Sequence, residues 1–392
     1  SILVTCVGTI GKAGYLRKGG AFNQQINAII PFKGVNSKFV YFYCISSVFK
    51  NLLLKRASST TLPIINKTKF LQLQIYLAPL DEQKRIVEKV EELFFRLYDG
   101  VKSLERIKNQ LKTYRRSVLK KAFEGKLTEI WRENNKKLYP GNAKKKKDDK
   151  SNRKNGFRIK IPENWVWKNI DAVSESLKNG IYKPKSFYNN DGVPCLRMYN
   201  ICEGKLNREN IKRMEPDEAE IEDYKLSEND ILLNRLNSRE LVGKSAVVTK
   251  EFEGDIFESK NIRIKLKNEI ADSKYVNFWI NFYGRNYFNC NLQQTTGMAS
   301  IHQKQLSALP IPVPSIVEQK KIVEEIEKRF FIIDKIDEIV DKALIWSQRL
   351  DQSILKKAFE GRLVPQNPGD ESASELFKRI TKEKKKVEEK ER

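Results

Sequence analysis

One histidine, His302, is the whole imidazole inventory of this 392-residue chain. Metal clusters built on several histidines and paired-imidazole mechanisms are therefore excluded. GKS at 243–245 has the ending of a phosphate-binding loop, but that loop needs glycine where Ser238 stands. GTIGKAG at 8–14 fails as well, because Cys6 occupies the upstream glycine position and Ala13 replaces the Ser or Thr that would meet magnesium. No GxGxxG follows a candidate strand. The acidic run EPDEAEIED at 215–223 lacks a metal-loop glycine and reads as a solvated loop. Cysteines at 6, 44, 195, 202 and 290 fit no CxxC or zinc spacing, and an odd number in a long chain suits a reduced, cytoplasmic protein. No catalytic residue, metal or cofactor is assigned, and an enzyme is not expected.

The residue types that remain are suited to holding a polyanion. Formal charge is +24, which favours nucleic acid or an anionic membrane surface. No apolar run reaches membrane-spanning length, and no signal peptide is visible. Residues 1–80 carry ten Lys or Arg and no acid, whereas residues 157–314 carry 23 basic and 21 acidic residues. Lys and Arg would neutralise phosphates. Arg matches the edge of guanine, and Asn or Gln the edge of adenine. Candidates in the first segment are Lys12, Gln24, Gln25, Lys55, Arg56, Ser59, Thr60 and Lys67. In the second they are Tyr182, Lys183, Lys185, Arg197, Arg235, Asn237, Arg239, Lys244, Gln293, Gln294, Thr295, His302 and Lys304. Taken singly, a basic or amide residue on a loop is more often a solvated or capping group than a base contact. The loops as a set carry more weight than their members.

The elements that must position these loops are duplicated. Residues 82–127 and 318–363 align without a gap at an offset of 236, with 18 of 46 positions identical. Repeats of this kind decide the architecture before any other fold reasoning. In the first copy apolar residues recur from Ile86 to Ala122 with a mean step of 3.6, the period of an amphipathic helix. From Glu82 to Phe123 such a helix runs about 63 Å. Identities concentrate at the helix ends. An antiparallel pair would explain this, because the start of each helix would then pack on the end of the other; the other reading is that EQK and FEG are only helix-start and helix-stop signals. Spacer and docking candidates are Ile86, Phe94, Phe95, Leu119 and Phe123 with Ile322, Phe330, Phe331, Leu355 and Phe359. Pairing Ile86 with Ala358 sets a rule: contacting residues have numbers summing near 444. It places Phe94 near Leu350 and Tyr114 near Phe330.

Six blocks follow: a globular segment 1–79, a long helix 80–127, a flexible basic linker 128–156, a second globular segment 157–314 of mostly short strands, a second long helix 315–363, and a charged tail 364–392 with a short frayed helix. The 236 register continues upstream only loosely. It expects a whole first head to begin roughly 80 residues before Ser1.

Two stretches carry a family resemblance. TTLPIINKTKFLQLQIYLAPLDEQKRIV and TTGMASIHQKQLSALPIPVPSIVEQKKIV, with IPENWVWKNI, GVPCLRMYNI and LKKAFEGKL, resemble the specificity subunit of Type I restriction-modification systems. The resemblance covers almost the whole chain. It implies an α+β fold with two mixed α/β target-recognition domains, the first partial, joined by two long antiparallel coiled-coil helices in a pseudo-twofold duplication. It implies recognition of a split target in double-stranded DNA and no catalysis by this chain. Two modification subunits that methylate adenine would dock on the spacer, and restriction subunits would join them. A chain with half a first head leaves open a homodimer that restores two whole heads. The other reading is an assembly scaffold, a basic helical hairpin that touches DNA only non-specifically.

Overall fold

The computed structural model describes residues 1–58, 63–135, 159–291, 293–295 and 297–391. Ser59, Thr60 and most of the expected linker lie outside the described residues. The chain divides into two compact units, Ser1–Asn109 with Ile336–Arg392, and Gln110–Lys335. Two long helices, Leu80–Phe123 and Ile316–Phe359, contribute to both.

In unit 1, strands β1 (Ile2–Thr5), β2 (Ala13–Tyr15) and β3 (Ile26–Ile29) form an antiparallel sheet in the order β2-β1-β3. Two helices, Ser37–Ile45 and Ser47–Arg56, follow in close succession. Asn36 caps the first, its side chain accepting from the Lys38 and Phe39 amides. Ser46 ends that helix and caps the next, accepting from Phe49 N at 3.3 Å. Ile2, Val4, Val40, Tyr43, Phe49 and Leu53 form the core. A second cluster joins Phe39 and Phe42 to Ile86, Val87 and Val90 from the start of one long helix and to Ile354, Leu355 and Ala358 from the end of the other. The long helices therefore run antiparallel here, as expected. The expected short frayed tail helix instead spans Ala373–Glu391. Buried Leu376 and an Arg85–Asp370 ion pair at 2.6 Å anchor its start.

Unit 2 holds fifteen strands among the described residues. β4 (Val166–Asn169), β5 (Ser174–Asn179), β6 (Tyr188–Asn189), β7 (Val193–Leu196), β8 (Ile201–Cys202), β9 (Lys205–Leu206) and β10 (Lys212–Met214) come first. β11 (Ile231–Asn234), β12 (Leu236–Asn237), β13 (Ser245–Val247), β14 (Ile256–Phe257), β15 (Asn261–Leu266), β16 (Gln293–Thr295), β17 (Met298–Ser300) and β18 (Pro310–Val313) follow. They make two four-stranded sheets, β13-β11-β15-β5 and β14-β7-β10-β6, and smaller ones. Within the Pro-rich LPIPVP segment, Pro310–Val313 becomes β18, paired among the described residues with β4 alone. Proline tolerates that edge position because the ladder asks less of its missing N–H. The carbonyls of Pro310 and Pro312 accept from Trp279 Nε1 and the Tyr275 hydroxyl at 2.8 and 2.7 Å. Val118, Ala122 and Phe123 pack in one core with Ile322, Val323 and Ile326, the end of one helix against the start of the other.

The antiparallel order of the 444 rule holds in each unit, with the ion pairs displaced from it by five residues. Lys108 pairs with Asp341 in unit 1 and Arg115 with Asp334 in unit 2, both sums being 449. Arg115, rather than Tyr114, covers the Phe330 ring, 4.9 Å from its centroid. Tyr114 and Leu350 are exposed, one position off the packed stripe. The segment expected to be a flexible linker begins with a helix, Glu129–Asn134. Arg132 Nε and Thr128 Oγ1 both donate to buried Glu318 Oε1 at 2.9 Å, and Trp165 Nε1 donates to its Oε2 at 3.1 Å.

Candidate nucleic-acid interface

A groove of about 710 Å³ opens in unit 2 beside the β14-β7-β10-β6 sheet. Gly180 makes its close packing possible, since a Cβ there would sit 2.3 Å from the Glu258 carbonyl. That approach lets Ile181 N donate to Phe257 O at 2.9 Å and Ser259 N to Ile181 O at 2.8 Å. Gly192 serves the same end where the β6–β7 turn meets Met214, whose carbonyl a Cβ would approach to 2.3 Å.

Six cations line the groove (Lys183, Lys185, Arg197, Lys212, Arg213 and Lys260) against one acid, Glu258. Tyr182, Tyr188, Asn189 and Asn190 add aromatic faces and amides. Several of these groups are already engaged. Lys183 pairs with Glu220 at 2.7 Å, and its ammonium lies 4.7 Å from the Phe187 ring centroid. Arg213 Nη1 donates to Gly192 O at 2.8 Å. Asn189 Oδ1 accepts from the amides of Asp191 and Gly192 and shapes the turn. No ion pair is described for Lys185, Lys212 or Lys260. Arg197 is held differently. Its Nε donates to Glu258 Oε2 at 2.8 Å, and its guanidinium lies 5.8 and 5.5 Å from the Tyr188 and Tyr199 ring centroids. Glu258 is buried, and its other oxygen accepts from Met198 N at 3.3 Å.

Of the expected contact residues, Tyr182, Lys183, Lys185 and Arg197 meet in this groove. Arg235 abuts its floor but is engaged internally, with Nη1 donating to Ser259 O at 3.2 Å. Asn237 is turned inward too: its Nδ2 donates to Asn234 Oδ1, and its Oδ1 accepts from Ser238 N. Lys244 is half-buried, and burial pulls its ammonium pKa down. Arg239 and Lys304 are exposed, as is His302, which caps the Gln303–Ser307 helix. Gln293, Gln294 and Thr295 form β16, the strand at the end of the β12-β17-β16 sheet. In unit 1, Lys12, Gln24, Gln25, Lys55, Arg56 and Lys67 are all exposed, and Arg56 Nη1 donates to Gln72 Oε1 at 3.3 Å.

Sequence reasoning did not single out Lys212, Arg213, Lys260 or Glu258. They reach the groove through strand pairing, Arg213 opposite Asn189 and Ile256 beside Cys195, which no local motif announces. It also passed over the glutamine of the repeated EQK. Gln83 Oε1 accepts from Asn36 N and its Nε2 donates to Ala78 O, both at 2.8 Å. Gln319 makes the same pair with Asp272 N and Pro314 O, at 2.8 and 3.0 Å. The identity in both copies was the available signal. Of the spacer candidates, Ile86, Phe123, Ile322 and Leu355 are buried, and Phe94, Leu119, Phe330 and Phe359 pack beside them. Phe95 and Phe331 instead point outward, 73% and 65% exposed.

Among the described residues no group of three or more His, Cys, Asp or Glu is placed to hold a metal. Likewise, no described helix is long and apolar enough to cross a membrane. All five cysteines are free thiols, three of them buried.

The "Type I restriction modification DNA specificity domain" family model matches residues 1–113 and 162–338. The chain is 29% identical over 379 residues to the Type I restriction enzyme EcoKI specificity subunit of Escherichia coli strain K12, covering 93% of this chain and 75% of that one. It is 27% identical to the StySPI specificity subunit of Salmonella potsdam, with the same shares covered. Two solved structures share the fold. One, described as the structural basis of complex assembly and conformational transition of the type I R-M system, superposes with a TM-score of 0.68 at 18% identity over 92% of this chain and 82% of that one. The HsdS subunit from Thermoanaerobacter tengcongensis gives 0.52 at 20% identity over 83% and 70%. The chain belongs to the Type I restriction-modification DNA specificity family, whose members are the non-catalytic specificity subunits of their complexes.

Proposed function

We propose that this chain reads duplex DNA by sequence through the unit 2 groove, as one half of a split target. The observation that carries the reading is the groove itself: six cations, two tyrosines and two asparagines around one acid, in a segment otherwise close to neutral. Lys185, Lys212 and Lys260 supply phosphate neutralisation, and the held arginine and the amides supply base discrimination. Exposed basic and amide residues of unit 1, among them Lys12, Lys55, Arg56 and Lys67, serve the other half-site. The long helices set the distance between readers. Exposed aromatics on them, Phe95, Phe331 and Trp346, offer docking points for modification subunits, which restriction subunits join. A cytoplasmic location fits a DNA target and five unpaired thiols.

Competition binding at fixed salt tests this against the scaffold reading. A reader prefers duplexes carrying its selected motif by about 10³-fold or more over unrelated duplexes. Equal affinity for all duplexes would leave a scaffold with non-specific binding. Removing one turn from each long helix is expected to change the spacing between half-sites and leave the bases read unchanged. Altered bases would contradict the ruler.

A further inference from the structure

We infer that Arg197 is the guanine-reading residue of the unit 2 groove and that Glu258 is its positioning residue; this rests on the groove being the DNA interface. The two strands that bring them together are β7 and β14, which pair in parallel so that Arg197 and Glu258 leave the same end of the sheet. Glu258 N donates to Leu196 O at 3.1 Å and fixes that alignment. The carboxylate takes Nε of Arg197, at 2.8 Å. The two terminal nitrogens are the pair whose spacing matches O6 and N7 of guanine, and the Tyr199 hydroxyl is a further hydrogen-bond neighbour of the guanidinium. Tyr188 and Tyr199 flank the guanidinium, and Asn200 Oδ1 accepts from Arg197 N at 2.9 Å, so side chain and backbone are both fixed before DNA arrives. Fixing a long side chain in advance removes an entropy cost from binding.

Electrostatics separates a base reader from a phosphate anchor. An arginine paired with a buried carboxylate has lost most of its net attraction for phosphate. Its value lies in directed hydrogen bonds. Lys185, Lys212 and Lys260, with no ion pair described, have the opposite character. Arg213 and Arg235, the other arginines at the groove, donate to backbone carbonyls. Arg197 alone among the three is oriented by a side-chain carboxylate.

The test uses the full chain assembled with its modification subunits. Motifs are selected from a random duplex pool by the wild type, Arg197→Lys, Glu258→Gln and Lys212→Ala, and affinities are measured on the wild-type motif and on each of its single base-pair changes. Arg197→Lys keeps the charge and loses the fork. It is expected to bind the motif about 5- to 150-fold more weakly. The loss should vanish on duplexes in which one particular G·C pair of one half-site is changed. Glu258→Gln should show a smaller loss at the same pair, and Lys212→Ala a similar loss on every duplex. A uniform loss for Arg197→Lys, or none, would overturn the inference, and Glu258→Gln supplies the same reading should Arg197→Lys fail to fold. A wild type that selects no motif at all would instead sink the reading of the groove as a DNA interface.

Discussion

The joints of the two units repeat several contacts at the 236 offset, and their surroundings do not. Lys38–Glu91 at 2.6 Å in unit 1 is repeated as Lys274–Glu327 at 2.8 Å in unit 2, both residues shifted by 236. Phe42 meets Phe94 with ring centroids 5.8 Å apart, and Phe278 meets Phe330 at the same distance. Phe359 packs edge-on to Phe39 at 5.2 Å, and Phe123 to Tyr275 at 5.4 Å. Away from the joint the likeness stops. Glu318 accepts from three donors, while its counterpart Glu82, also buried, has the Arg85 guanidinium as an electrostatic neighbour. The joint is constrained by helix packing that any replacement must reproduce. The rest of the two heads repeats only loosely in sequence.

This contrast can be broken by matched substitutions. Phe123→Ala removes a fully buried ring from the unit 2 core and is expected to cost about 4 kcal/mol, with a smaller loss for the half-buried Phe359→Ala in unit 1. Hydrogen exchange resolved by segment would check that each loss stays in its own unit. Glu318→Ala leaves Arg132, Thr128 and Trp165 without their acceptor and is expected to cost about 3 kcal/mol in denaturant unfolding. Glu82→Ala should cost under about 1 kcal/mol. Equal losses at the two positions would erase the difference drawn here.

Titration sharpens the comparison further, because it marks unit 2. Burial, offset in part by Arg208 and Arg213, pushes the Asp255 carboxyl up to about 6. The folded protein therefore holds this proton where the unfolded chain has released it. The carboxyl's contribution to stability is fully present below about pH 4 and is lost as pH rises towards 6. The loss is on the order of 2 kcal/mol. Asp255→Asn should remove this slope from a stability profile between pH 4 and 7, and a profile that keeps it would assign the effect to another group. The smallest effect is in the groove. Lys185→Ala or Lys212→Ala should reduce the slope of log affinity against log salt by about 1 each, uniformly across sequences. A change confined to one base pair would make either lysine a base reader instead.

Much of the architecture was legible in the sequence, because helix period and gapless repetition are local signals. The 3.6-residue spacing from Ile86 onward and the gapless repeat were enough to set two long helices; their antiparallel pairing came with the family resemblance, and the ion pairs Lys108–Asp341 and Arg115–Asp334 fit it. The candidate site was legible only in part. Tyr182, Lys183, Lys185 and Arg197 stand out as charged or aromatic residues in turn-rich stretches. Lys212, Lys260 and Glu258 join them through strand pairing between segments far apart in sequence. Arg235 and Asn237 carry the right chemistry for reading bases, but buried backbone carbonyls and Asn234 engage them first. Residue type announces what a side chain can bond, and packing decides whether it bonds inward or outward.

Mapping of methylated sites in a host expressing this chain with its modification subunits addresses the central claim most directly. The account predicts a split motif, of which Arg197→Lys alters or loosens one half while the other half and the spacing stay as in the wild type. A motif unchanged in both halves, or one abolished as a whole while the variant remains folded and assembled, would contradict it.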